Sequence, residues 1–156
     1  MNKLSEISDQ TNVKVITGKS ATGKTYCLIK EIGECCAVGK QCIVFSLFCE
    51  YRRMCDTLGG TYISVDVGFP SNDFLLPETP AVVYDFEKLS EDEAKQPFKD
   101  LLGKVYETVK VDTTRQKYIA LDITPSIYDY TIDQLLYMPK NLRKYNAAIC
   151  VACQQE

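Results

Sequence analysis

Val13-Lys14-Val15-Ile16-Thr17-Gly18-Lys19-Ser20-Ala21-Thr22-Gly23-Lys24-Thr25 is the stretch from which the rest of the chain can be read. Its first five residues are short, β-branched and strand-like. The next eight fit G-x-x-x-x-G-K-[ST] at every fixed position, a loop whose backbone N–H groups can wrap phosphate oxygens. In that pattern the glycines at 18 and 23 allow close backbone approach, and Lys24 brings positive charge toward the β- and γ-phosphates. The Thr25 hydroxyl can ligate Mg²⁺. After the loop, Leu28, Ile29, Ile32, Cys35 and Cys36 recur at helical spacing, and Gly39 stands where a helix C-cap glycine is expected. Strand, loop and helix in that order put the loop at a helix N-terminus, where the dipole favours an anion. The whole of 18–25 (Gly18, Lys19, Ser20, Ala21, Thr22, Gly23, Lys24 and Thr25) is therefore expected to hold a nucleoside triphosphate.

Working outward, 41–48 reads as a buried strand and 50–58 as a short helix stopped by Gly59-Gly60. The alternating, β-branched stretch 61–67 reads as a strand, 68–80 with its prolines as a loop, and 81–86 as a strand. A helix is expected over 90–111, opened by a Ser90-Glu91-Asp92-Glu93 capping box, with Pro97 a local cost. A strand at 117–122, a helix at 127–137 and a last strand at 147–153 complete the pattern. Strands alternating with helices give an α/β fold with a mainly parallel sheet flanked by helices. Only 61–86 breaks the alternation, and its two strands, lacking a helix between them, are expected to form an antiparallel edge or a hairpin. Ligands in such sheets sit at the carboxyl ends of the strands.

That rule directs attention to three further positions. Asp122 ends an apolar strand, which suits a carboxylate that holds Mg²⁺ or its water; the alternative is a cap on the following turn. The residue after it is Ile123, where many ATPases of this kind carry a water-activating glutamate. Glu50 follows the second strand, the topological point at which RecA-like ATPases place their catalytic glutamate, and that resemblance makes it a substitute base; equally, it is a helix N-terminal acid favoured by the dipole. Gln154 follows the final strand, where a polar side chain can sense a γ-phosphate, with Gln155 as its neighbour and a plain polar terminus as the simpler reading. Arg143 and Lys144 precede that strand, either as an arginine finger toward a neighbouring subunit or as solvated charges near a helix end.

Length and composition set bounds. The chain has 156 residues, 46% hydrophobic and 25% charged, with a net charge of −3. These values fit one globular domain over 1–156, and they do not suggest a generally basic nucleic-acid-binding surface. No stretch approaches a transmembrane length and the first ten residues lack a signal-peptide core, so a cytoplasmic protein without membrane insertion is expected. There are eight cysteines and no histidine. Most cysteines lie in apolar runs and are expected to be small buried hydrophobes. Cys150 and Cys153 are spaced so that a strand sends them to opposite faces, which argues against zinc. Without histidine, imidazole acid–base chemistry is excluded.

Taken together, 15–25, Glu50-Tyr51, Leu58-Gly59-Gly60 with Ile63, 118–122, and Arg143-Lys144-Tyr145 running to Gln154 resemble the FtsK–HerA superfamily of ring-forming P-loop ATPases. The conjugation and type IV secretion ATPases are the nearest in pattern. The resemblance implies a RecA-like core binding ATP and Mg²⁺, homo-oligomers (hexamers) and movement of DNA or protein with secretion-machinery partners. On it, Lys24 and Thr25 bind nucleotide, Asp122 serves Mg²⁺, Gln154 is the sensor and Arg143 the candidate finger. Ile123 and the short length depart from those motors. Two other readings follow from the same residues: a nucleotide-binding or assembly protein without turnover, and a small nucleoside or nucleotide kinase. The few arginines count against the kinase.

Overall fold

The strand β1 (Val13–Gly18) is followed by the first helix, α1 (Ala21–Ala37). The computed structural model describes residues 12–18, 21–48 and 50–154, with backbone alone at positions 18, 21, 22 and 154. Lys19 and Ser20 of the loop, together with Cys49, Gln155 and Glu156, lie outside the described residues. After α1 come β2 (Gln41–Ser46), α2 (Arg52–Thr57), β3 (Thr61–Ser64) and β4 (Ala81–Asp85). Then follow α3 (Glu91–Val111), β5 (Lys117–Ile123), α4 (Pro125–Leu142), a 3-10 turn (Arg143–Tyr145) and β6 (Ala147–Gln154).

The six strands form one sheet in the order β1-β6-β5-β2-β4-β3, and every pairing is parallel. Parallel strands need long crossovers, and helices on both faces of the sheet bury the resulting apolar strands. β2, β4 and β5 are accordingly buried at every residue. On one face Leu28 and Ile32 of α1 pack over Ala120, Ala148, Cys150 and Ala152, small side chains that let the helix lie close. The other face carries α3 and α4 over an aromatic centre: Phe45 and Phe86 each meet Phe98 at 5.1 Å between ring centroids.

Local sequence explains the element ends. Gly39 (φ +89°) closes α1 in a Schellman turn, with the Lys40 and Gly39 N–H groups donating to the Cys35 and Cys36 carbonyls. Gly59 (φ +68°) does the same for α2. The Ser90–Glu93 capping box is present, and Thr124 caps α4 ahead of Pro125. Both Pro97 and Pro139 are accommodated inside their helices and buried.

Two expectations are corrected. β3 and β4 are not antiparallel but lie parallel, Thr61 opposite Val82 through Ser64 opposite Asp85. Residues 65–80 therefore return the chain to the starting end of the sheet without a helix. Phe69 and Phe74 of that connection pack on Tyr84, covering the face that a helix would otherwise cover. Cys27 is exposed rather than buried, whereas Cys35, Cys42, Cys55, Cys150 and Cys153 are buried thiols outside any disulfide. Cys150 and Cys153 do join opposite faces of the sheet. Among the described residues no helix is long and apolar enough to cross a membrane.

Candidate functional site

A single row across the carboxyl end of the sheet defines the site. Strand register aligns Ile16, Ala152, Asp122, Ser46, Asp85 and Ser64, so these side chains share one face. That face is the one covered by α1, which carries Lys24 and Thr25 in its first turns. Lys24 is 5% exposed, Thr25 7% and Asp122 3%. Three polar side chains are thus buried at one strand end, beneath a helix with no acid in its first turn.

Burial raises the Asp122 carboxyl above its usual range, against the opposing influence of a Tyr51 hydrogen bond and the Lys24 charge. The Glu50 carboxylate adds to the upward push, which places it electrostatically close to Asp122. Glu50 is exposed, just ahead of α2. The turn that presents it is built by Ser46, fully buried, whose hydroxyl donates to the Phe48 carbonyl and accepts the Phe48 N–H at 3.0 Å.

In the sequence Tyr51 stands out only as half of a Glu-Tyr pair, and the structure gives it a specific place. The residue is 1% exposed, and its phenol donates to Asp122 Oδ2 at 2.5 Å. Thr25 hydrogen-bonds the same phenol. Burial, followed by the nearby Asp122 charge, pushes the phenol's own pKa well up, so it stays protonated as a donor. An aromatic at the start of α2 with its hydroxyl aimed back at β5 could be foreseen only by knowing that β2 and β5 are neighbours.

The remaining sequence candidates separate. The Gln154 backbone pairs with Gly18, at the mouth of the loop; its side chain is outside the described residues. Ile123 is still within β5, 1% exposed, and packs on the α3–α4 face, away from Lys24. Arg143 sits at the opposite, amino-terminal end of the strands, beside a cavity of about 220 Å³ lined also by Lys40, Gln116 and Lys117. The length of β6 lies between it and the loop, about 23 Å at the rise of a parallel strand. Arg143 thus does not join the site of its own chain.

An oxygen set of one hydroxyl and one carboxylate fits Mg²⁺, a hard cation that keeps waters and shares phosphate oxygens. Among the described residues no group of three or more acidic, cysteine or histidine side chains forms a cage for a metal. A cation here would therefore depend on the nucleotide's own oxygens.

No family model matches the sequence, and no curated protein matches it either. Among solved structures, the chain is similar to VirB4 of Thermoanaerobacter pseudethanolicus, with a TM-score of 0.72 and 13% identity. The match covers 96% of this chain and 71% of that one. At that identity the likeness is one of fold, a parallel α/β sheet flanked by helices.

Proposed function

We propose that the chain binds ATP with Mg²⁺ through residues 18–25 and Asp122, as a RecA-like domain related to the conjugation and type IV secretion ATPases. The convergence of Lys24, Thr25 and Asp122, buried together at the carboxyl end of the sheet, carries this reading. The fold likeness to VirB4 supports it. Lys24 supplies the charge for the β- and γ-phosphates, and the N-terminus of α1 adds its dipole. Thr25 and Asp122 hold the cation, which neutralises phosphate charge when bound. Glu50 is the base for an attacking water, being an exposed carboxylate whose charge reaches Asp122. Gln154, next to Gly18, orients that water. Arg143 acts from a second copy in a homo-oligomer, a hexamer on the family pattern. DNA or secretion machinery would be the partners of such a ring.

A second reading, a nucleotide-binding or assembly protein without turnover, is favoured by Ile123, whose packing leaves no base at that position. The kinase reading gains nothing: Arg115 is committed to the Gly39 and Glu78 carbonyls, and Arg143 is at the far end of the strands.

Titration calorimetry with a non-hydrolysable ATP analogue and Mg²⁺ tests the binding claim. Wild type should bind and Lys24→Ala should lose on the order of tenfold to a hundredfold, the weight of one or two charge-assisted hydrogen bonds. Equal affinities would remove the claim. Phosphate release then separates the two readings: turnover in wild type that is lost in Glu50→Gln supports the ATPase, and none in either supports the non-hydrolysing protein.

A further inference from the structure

We infer that Tyr51 is a positioning residue for the cation, its phenol oxygen linking Thr25 to Asp122 and fixing the orientation in which the two meet Mg²⁺. The inference rests on the nucleotide–Mg²⁺ reading above and adds a residue to it. Three observations carry it. The Tyr51 ring is buried in the cluster formed by α1, α2 and the sheet, where a phenylalanine would pack as well. A hydroxyl in such surroundings costs free energy unless it is bonded. Here it donates to Asp122 Oδ2 at 2.5 Å and is in hydrogen-bond contact with Thr25. Those are the two side chains that the loop pattern and the strand end independently nominate for the metal.

The chemistry follows from the lone pairs. A carboxylate offers about four acceptor positions. One phenol bond therefore sets the plane of Asp122 while leaving acceptor positions for a cation or its water. Outer groups that orient metal ligands in this way typically carry a 10- to 100-fold share of metal affinity. The anchor is rigid because Tyr51 stands at the N-terminal boundary of α2, whose Met54 and Cys55 are themselves buried. A nucleotide arriving without metal meets Lys24 and the loop, so Tyr51 should leave metal-free binding alone.

The test titrates Mg²⁺ into wild type and Tyr51→Phe in the presence of a fluorescent ATP analogue, with a parallel titration in EDTA. Tyr51→Phe keeps the buried ring and removes only the hydroxyl. The half-saturating Mg²⁺ concentration should rise by about tenfold or more, with affinity in EDTA unchanged within about twofold. The same substitution in an Asp122→Asn background should add less than about twofold, since the hydroxyl acts through that carboxylate. An unchanged Mg²⁺ dependence in Tyr51→Phe, or an equal loss in both backgrounds, overturns the inference. If wild type binds no nucleotide under any condition, the site reading itself falls and Tyr51 falls with it; a wild type that binds while Tyr51→Phe behaves identically sinks only the Tyr51 role.

Discussion

Gly60→Ala should loosen both the fold and the site, and the size of the effect can be worked from the geometry. A Cβ built on Gly60 meets the Ala81 carbonyl oxygen at 2.6 Å and Cys55 Sγ at 2.8 Å. Ala81 opens β4 and Cys55 belongs to α2, and both are fully buried, so neither can swing aside. Restoring an ordinary 3.4 Å contact from 2.6 Å requires a shift of about 0.8 Å between the end of α2 and β4. Overpacking of this kind costs about 1–3 kcal/mol. For a chain of this length that lowers the melting temperature by roughly 2–12 °C. If half or more of the shift reaches Tyr51, its 2.5 Å bond to Asp122 lengthens toward the limit of a useful hydrogen bond, and the Mg²⁺ requirement rises in step. Gly59 is the control. It needs a positive φ of +68° but has open space around it, so Gly59→Asn, which tolerates that backbone, should melt within about 2 °C of wild type. Thermal melts of the three proteins followed by circular dichroism decide the matter. A Gly60→Ala protein as stable as wild type, or a Gly59→Asn protein less stable than Gly60→Ala, would refute the packing argument.

Asp122→Asn should melt higher than wild type at neutral pH without Mg²⁺, because burial makes the ionised carboxylate costly in the fold. With the folded pKa raised above 3.8, the folded state binds more protons than the unfolded one in that interval. Wild type therefore loses stability relative to the variant as pH climbs from about 3.8 through the raised value, and the gap is constant above it. Melts across that range would show it, and a variant less stable than wild type at pH 7 would contradict it. Ser90→Ala removes the capping box that starts α3 and should cost about 1 kcal/mol in urea unfolding while leaving nucleotide affinity unchanged. Phe98→Ala should cost about 3–5 kcal/mol, since it empties the centre shared with Phe45 and Phe86.

What can be read from the sequence is mostly local. The order β1, loop, α1 lies within one short stretch, and its glycines, Lys24 and Thr25 have fixed spacing, so the strand-to-helix passage needs no knowledge of distant residues. Asp122 is visible because it ends an unbroken apolar run. The capping box of α3 and the glycine ends of α1 and α2 are visible for the same reason. The direction of β3 against β4 is not, because 65–80 carries no helical period and the aromatic residues that cover the sheet, Phe69 and Phe74, sit among turn residues. Tyr51 has no legible role in the sequence because its partner is 71 positions away and joins it only once β2 and β5 are neighbours. The place of Arg143 becomes plain once β6 is known to be a parallel strand beside β1: a residue just before such a strand lies at the end of the sheet opposite Gly18.

The central claim is that Lys24, Thr25 and Asp122 form one receptacle for a triphosphate and its cation. An experimental structure with a non-hydrolysable ATP analogue and Mg²⁺ tests it most directly. The account predicts the γ-phosphate within hydrogen-bonding distance of Lys24 Nζ and the cation between Thr25 and Asp122, with Tyr51 still on Asp122. Nucleotide bound elsewhere, for instance in the cavity beside Arg143, or the residues 18–25 closed against the sheet with no nucleotide at saturating concentration, would contradict it.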